Sequence, residues 1–353
     1  MTAAASRPIR WLFSAPVDLA AFLGSAALSL AALWVGALCG VLHGDAPEWT
    51  WVTFVLLLDV AHVWSTGFRV YFDRAELRRR PWLYGLTPII AWIVGVALYS
   101  EGEQLFWRVL AYLAVFHFVR QQYGWVALYR ARNAEHGRAG AIIDTCAIYL
   151  ATVYPLVYWH THLPRAFHWF LPGDFISLNL PLLCQLTAGA YWTALTLYVL
   201  RSAYRGLMQR QFNPGKDIVL ITTALCWYVG IIGFNSDYAF TVTNVIIHGF
   251  PYLVLVYWYR FHRSENADVP ARARMPRLAT FVATIWLLAY VEELFWSRGY
   301  HHHHGWLFGE ARLPDARGLL VPLLAVPQIT HYVLDGFIWR RRSNPDLRAA
   351  LTD

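Results

Sequence analysis

Residues 238–261 read YAFTVTNVIIHGFPYLVLVYWYRF, a run with no charged side chain before Arg260. An α-helix needs about 20 predominantly apolar residues to cross the hydrocarbon core of a bilayer, and this run is long enough. His248 lies near its middle, where a polar side chain is costly unless it faces the interior of a helix bundle. The run therefore predicts a membrane-spanning helix with one face packed against other helices.

Apolar runs of this kind recur along the whole chain. Of its 353 residues, 58% are hydrophobic and only 14% are charged, far too few charges for a soluble domain of this size. We predict an all-α fold, a polytopic transmembrane helix bundle that forms a single integral membrane domain over residues 1–353. About ten spans are expected, at residues 17–41, 49–72, 83–100, 104–130, 140–161, 179–200, 217–234, 238–261, 278–297 and 317–340.

The basic residues indicate how these spans are oriented. The formal net charge is +7, and Lys216 is the only lysine, so the charge comes almost wholly from arginine. The arginines concentrate in alternate loops, such as 130–138 and 201–216, and are sparse in the loops between them. By the positive-inside rule this predicts cytoplasmic termini and an even number of spans in the inner (plasma) membrane. The expected partner of the basic surface is the lipid bilayer, and no nucleic acid is expected.

Four histidines lie deep within predicted spans: His62, His117, His248 and His331. They occupy the second, fourth, eighth and tenth spans and lie at a similar depth, near the middle of a core about 30 Å thick. The other histidines lie in loops or at membrane edges. Four imidazoles at one level can converge on one point if their helix faces turn inward, so we predict that these four residues bind a metal.

Polar residues accompany each deep histidine at helical spacing. Asp59 precedes His62 by three residues, Arg120 follows His117 by three, Tyr252 follows His248 by four, and Asp335 follows His331 by four. Such spacings place side chains on one face of a helix. We expect Asp59, Arg120, Tyr252 and Asp335 to take part in catalysis or to orient the imidazoles. Further polar companions are Gln121, Asn244 and Gln328.

The donor set restricts the metal. The cysteines (Cys39, Cys146, Cys184 and Cys226) all fall within predicted spans and form no CxxC pair, which argues against a disulfide framework or a thiolate site. Imidazole without thiolate suits iron, copper or zinc. We favour a non-haem Fe(II) centre that activates dioxygen, and zinc hydrolysis ranks second. Aromatic residues are expected to line an apolar channel to the site: Trp64, Phe118, Trp125 and Phe250.

Short stretches around these histidines resemble the Brp/Blh-like β-carotene dioxygenase family of multi-span membrane proteins. They are Asp59-Val-Ala-His62, His117-Phe118, Ile247-His248-Gly249-Phe250, and Pro327-Gln-Ile-Thr-His331 continuing to Asp335-Gly336-Phe337-Ile338. In the family, the third of these stretches carries two histidines four residues apart. This chain has His248 at the first of these positions and Tyr252 at the second. The resemblance implies Fe(II)-dependent oxygenation or oxidative cleavage of an apolar isoprenoid or lipid, such as a carotenoid.

Two other classes of protein compete with this interpretation. Opposed histidines can hold haem in a membrane electron-transfer protein, although two haems usually lie at different depths. Buried histidines and aspartates can also form the proton relay of a transporter. The run His301-His302-His303-His304 is expected to be a solvated outer loop, separated from the deep histidines by about half the membrane.

Overall fold

The computed structural model describes residues 9–43, 46–261, 274–314, 316–340, 342, 344, 347–348 and 351. Over these residues the chain is helical, with no β-strand. Ten long helices follow one another along the chain: α1 (Ala15–Leu38), α2 (Glu48–Tyr71), α3 (Pro81–Glu101), α4 (Glu103–Arg132), α5 (Arg138–Thr161), α6 (Pro181–Leu207), α7 (Pro214–Gly233), α8 (Asp237–Phe261), α9 (Arg274–His301) and α10 (Arg317–Ile338). The predicted all-α class is confirmed.

Nine of the described helices are long and apolar enough to cross a membrane. The exception is α4, which has 30 residues but carries His117, Arg120, Gln121 and Gln122 in succession along its middle. These residues lower its mean hydropathy, although most of the others along this stretch are apolar. The ten crossings and the cytoplasmic termini remain predictions.

Helix α8 lies at the centre of the bundle, and 78% of its apolar 18-residue stretch is buried. It packs against α1, α2, α4 and α7. Helices α3 and α6 are peripheral, and only 17% of the corresponding stretch of each is buried. Glycine permits the closest approaches to α8: Gly36 of α1 lies against the Tyr238 ring, and Gly230 of α7 lies against Thr243 and Asn244. The helix that carries His248 is therefore the most enclosed of the apolar helices.

Two helices of the bundle depart from regular α-geometry near the deep histidines. Helix α2 is π-helical over Trp51–Val60 and again over Gly67–Tyr71, on either side of the α-helical turn that carries His62. Helix α10 consists of Arg317–Leu324 and Val326–Ile338, separated at Ala325. Pro327 contributes to this break because it has no N–H to donate to the preceding turn. Such irregular turns are frequent at functional sites.

Basic residues that we assigned to loops form a buried ion cluster, defined here as Arg130, Glu135, Asp144, Arg201, Arg205 and Lys216. The Lys216 ammonium lies 2.8 Å from Glu135 Oε2 and 3.1 Å from Asp144 Oδ2. Burial alone would raise the pKa of Glu135, but the neighbouring Lys216 and Arg205, with a hydrogen bond from Asn213, lower it to about 2. The cluster joins α4, α5, α6 and α7, so these basic residues contribute to the packing of the helices.

Candidate metal centre

The four deep imidazoles meet at one point between α2, α4, α8 and α10. Their ring centroids form a closed quadrilateral with sides of 4.8 Å (His62 to His248), 5.0 Å (His248 to His117), 4.6 Å (His117 to His331) and 4.9 Å (His331 to His62). Every ring is at most 2% exposed. The convergence expected from their depth is therefore present in the tertiary structure.

The Nε2 atoms of the four rings approach one another in two pairs. His62 Nε2 and His248 Nε2 are 3.2 Å apart, and so are His117 Nε2 and His331 Nε2. Ligand atoms of His62, His117 and His331 all lie within 4.8 Å of one another. Two nitrogens bound to one ion at about 2.1 Å lie about 3.0–3.4 Å apart, depending on the bond angle. The observed spacing fits the edges of such a coordination polyhedron.

The Nδ1 atoms of three rings point outward to oxygen atoms of neighbouring side chains. Thr66 Oγ1 lies 2.7 Å from His331 Nδ1, Asp59 Oδ1 lies 3.4 Å from His62 Nδ1, and Asp335 Oδ2 lies 3.6 Å from His117 Nδ1. A histidine that binds metal through one nitrogen usually has a partner for the other, which sets its tautomer and orientation. The Thr66 contact is such a hydrogen bond, whereas His62 Nδ1 and Asp59 Oδ1 lie near each other without forming one. Asp59 and Asp335 thus lie beside the histidines, as the sequence predicted.

His248 is held differently from the other three. Its ring stacks on Phe118 at 3.5 Å between centroids, with an interplanar angle of 7°. The Gln121 side chain donates to the His248 carbonyl oxygen at 2.9 Å. Both contacts come from α4, so this helix positions its own His117 and also the histidine of α8.

Tyr252 lies directly beside the imidazoles. Its ring stands edge-on to His62 and His331, with centroids 5.8 and 5.1 Å away. Its hydroxyl accepts a hydrogen bond from Trp339 Nε1 at 3.3 Å and also interacts with Thr66 and Asp335. Tyr252 of α8 therefore contacts the histidines of α2 and α10 and the Asp335 carboxylate on α10.

The carboxylates retain free coordinating capacity. Within the described part of the chain, Asp59 Oδ1 and Asp335 Oδ1 are buried atoms without a hydrogen-bond partner. A buried oxygen without a partner is costly, and a bound cation or water would remove that cost. The donor set of four imidazoles and two adjacent carboxylates fits a divalent metal.

Arg120 does not lie among the histidines, and its role in catalysis stays a prediction. Its side chain is exposed and donates to the Tyr149 hydroxyl, with the guanidinium 5.0 Å from the Tyr123 ring centroid. A spacing of three residues does not force two side chains together, because a long arginine can turn outward from the face that its neighbour buries.

Three further residues also have surroundings other than those expected. Phe250 is 40% exposed, Trp125 packs in a separate apolar cluster with Phe22, and the Asn244 amide donates to the Phe240 carbonyl. Of these expected channel residues, Phe118 lines the cavity beside the site, whereas Phe250 and Trp125 do not.

Sequence analysis missed two acidic residues of α9, Glu292 and Glu293. Glu292 is 4% exposed and accepts hydrogen bonds from Trp64 Nε1 at 2.7 Å and from Trp296 Nε1 at 3.3 Å. Both glutamates interact electrostatically with Asp59. Two adjacent glutamates inside an apolar span could have indicated these residues from sequence. The pattern of deep histidines did not include them.

A cavity of about 520 Å³ adjoins the site. At its inner end are Asp59, Glu293, Gln328, Tyr332 and Phe118, and its wall is largely aromatic. At its other end it is lined by His168, His301, His303 and His304. The histidine run was expected to be a solvated outer loop at a distance from the deep histidines. Its residues His301 to His303 are exposed, and His301, His303 and His304 line the same cavity as Asp59.

Together the fold and the site define an all-helical bundle of membrane-spanning character with a buried cluster of four histidines. Comparison with known protein families, curated proteins and solved structures finds no match for this chain.

Proposed function

We propose that this chain is an integral membrane non-haem metalloenzyme, an Fe(II)-dependent oxygenase that acts on an apolar lipid or isoprenoid. One observation carries the proposal: four buried imidazoles pack together with two Nε2 pairs 3.2 Å apart, the ligand atoms of His62, His117 and His331 lie within 4.8 Å of one another, and three of the rings turn Nδ1 toward oxygen atoms. A cluster of core histidines that only packed together would not need this consistent orientation.

The choice of iron follows from the ligand chemistry. Neutral imidazoles with adjacent carboxylates suit Fe(II), and zinc and copper are the alternatives. Bound Fe(II) would supply the capacity to activate dioxygen. His62, His117, His248 and His331 would hold the metal, and Asp59 and Asp335 would orient two of the rings.

The cavity supports an apolar substrate. Phe118, Trp169, Phe240 and Trp296 belong to its wall, and its volume is within the usual range for small-molecule sites. The likeness of the four histidine stretches to Brp/Blh-like β-carotene dioxygenases favours a carotenoid-like molecule with dioxygen as co-substrate. Burial of the site would keep water away from the reacting atoms.

A haem site is less well supported. Axial nitrogens on opposite faces of a haem iron are about 4 Å apart, with the porphyrin between them. The Nε2 pairs here are 3.2 Å apart, and each ring packs against two others of the group. This spacing favours a single ion.

One observation favours a proton-coupled transporter as the second candidate. Asp59, Glu292 and Glu293 lie close together beside a cavity, and buried acidic residues in membrane helices often carry protons. That function requires no bound metal and predicts flux that depends on a pH gradient.

Elemental analysis of anaerobically purified protein separates these functions. We expect near-stoichiometric iron in the wild type, loss of most of it in His62→Ala and His331→Ala, and no change in His136→Ala, a matched exposed histidine. Wild-type protein that binds no metal after incubation with Fe(II), Zn(II) or Cu(I) would exclude the metalloenzyme and favour the transporter.

We also propose ten crossings of the inner (plasma) membrane with both termini in the cytoplasm. The alternation of arginine-rich and arginine-poor loops supports this topology. Reporter fusions at residue 136 and at residue 310 test it. The fusion at 136 should report a cytoplasmic loop and the fusion at 310 an outer one, and the same side for both would contradict the proposed topology.

A further inference from the structure

The histidine run at the end of α9 has a geometry of its own. His301 and His303 are exposed, and their rings are stacked with centroids 5.9 Å apart at an interplanar angle of 26°. His302, between them, has a left-handed backbone with φ of 56°, and so does His304. The turn at His302 lets the alternate residues present their rings side by side.

The loop is anchored to the cavity wall. His304 stacks on Trp51 of α2, with centroids 4.0 Å apart, and the Ser297 hydroxyl donates to the His303 carbonyl at 2.5 Å. His304 Nδ1 is a buried atom without a hydrogen-bond partner in the described part of the chain. These contacts hold three imidazoles at the cavity mouth, where His168 also lies.

We propose that His301 and His303 form a second, weaker metal site that captures a divalent transition-metal ion at the mouth and delivers it through the cavity to the deep centre. This inference rests on the proposed metalloenzyme function. His304 and His168 extend the set of imidazoles available at the mouth.

The relative strength of the two sites follows from their ligands. The deep centre has four convergent imidazoles, and His62, His117 and His331 are the one group of three metal-ligating residues that converges within the described part of the chain. The mouth offers two paired imidazoles in contact with solvent. An ion held by fewer ligands dissociates more readily, so it can move inward to the stronger site.

The cavity also offers intermediate ligands. Glu293 lies on its wall, and Asp59 at its inner end is 3.4 Å from His62 Nδ1. Carboxylates along a narrow path attract a cation and raise its local concentration. An entering ion would pass from the imidazoles of the loop to these carboxylates, and from Asp59 to the adjacent His62.

A solvated loop with no role in metal binding is the alternative. This alternative would explain the exposure of His301 and His303. It predicts that the loop has no effect on metal binding at the deep centre. The two interpretations differ in the rate at which metal reaches that centre.

The test measures how fast apo-protein in detergent takes up Co²⁺ at limiting concentration. The visible absorption of the bound Co²⁺ monitors the uptake. The paired variant His301→Ala/His303→Ala is compared with the control pair His136→Ala/His162→Ala, whose histidines are also exposed and lie outside the cavity. We expect uptake to slow about tenfold in the first pair only, the lower end of the rate effects of local ion concentration. The final Co²⁺ content at one equivalent of added metal and the melting temperature should be unchanged.

The outcomes separate the two proposals. Wild-type uptake rates in the His301/His303 pair would overturn the capture site and leave the metalloenzyme proposal intact. A lower Co²⁺ content at one equivalent, at which the stronger deep centre fills first, would also overturn it, because these histidines would then hold the resident ion. Wild-type protein that binds no Co²⁺ would overturn both proposals. Glu293→Gln gives a further check and should also slow uptake without lowering the final stoichiometry.

Discussion

The Thr66 hydroxyl oxygen lies 2.7 Å from His331 Nδ1, and this contact joins α2 to α10 beside the metal centre. The Nε2 atom of the same ring faces His117 Nε2. Thr66 thereby determines which nitrogen of His331 is available to an ion. It was not among the residues expected from sequence: it lies four residues after His62, but the histidine it contacts is His331, 265 residues away.

Thr66→Val should weaken metal binding while preserving the shape of the side chain. Loss of a hydrogen bond to a metal-binding histidine typically costs about tenfold or more in affinity. Thr66→Ser keeps the hydroxyl and should bind metal nearly as well as the wild type. Competition titration with a chelator measures both variants, and equal affinities for Val and Ser would show that the hydroxyl does not position His331.

Arg120→Ala should leave metal content unchanged, because the exposed guanidinium contacts Tyr149 and Tyr123 on the outside of the bundle. Substitutions at exposed positions usually change stability by no more than about 0.5 kcal/mol. Elemental analysis and a melting curve check this. Loss of metal in Arg120→Ala would return this arginine to the site.

Gly230→Ala should destabilise the bundle, because a Cβ there would collide with Thr243 Oγ1 and lie 3.0 Å from Asn244 Nδ2 on the helix that carries His248. Overpacking of this kind costs about 1–3 kcal/mol. Gly189→Ala in α6 is the matched control, since a Cβ there meets nothing within 4 Å. The melting temperature should fall only for Gly230→Ala, and an unchanged value would mean that α7 and α8 are not in close contact.

The buried ion cluster predicts a pH dependence of stability. The pKa of Glu135 is lowered from 4.5 to about 2 in the folded chain. Its ionised form therefore contributes stability that is fully present above about pH 4.5 and is lost as the pH falls toward 2. The melting temperature of the wild type should fall more steeply over this interval than that of Glu135→Gln, and parallel curves would contradict the assignment.

Much of the fold could be predicted from short stretches of sequence. Hydropathy and the length of each apolar run are properties of consecutive residues, and burying an isolated imidazole in hydrocarbon is costly whichever fold surrounds it. These facts sufficed to predict the helices and the common depth of His62, His117, His248 and His331. They also predicted that Asp59, Tyr252 and Asp335 lie beside the histidines, because each is three or four residues from one of them.

The rotation of each helix and the path of each long side chain were decided only by tertiary packing. His117 and Arg120 share a helical face by spacing, yet one is buried and the other turns outward. Thr66, Glu292 and the histidine run come to the site or its cavity from segments whose local sequence does not indicate it. The physical reason is that periodicity along one helix says which residues lie on the same side, whereas the contacts between helices decide which side faces which neighbour.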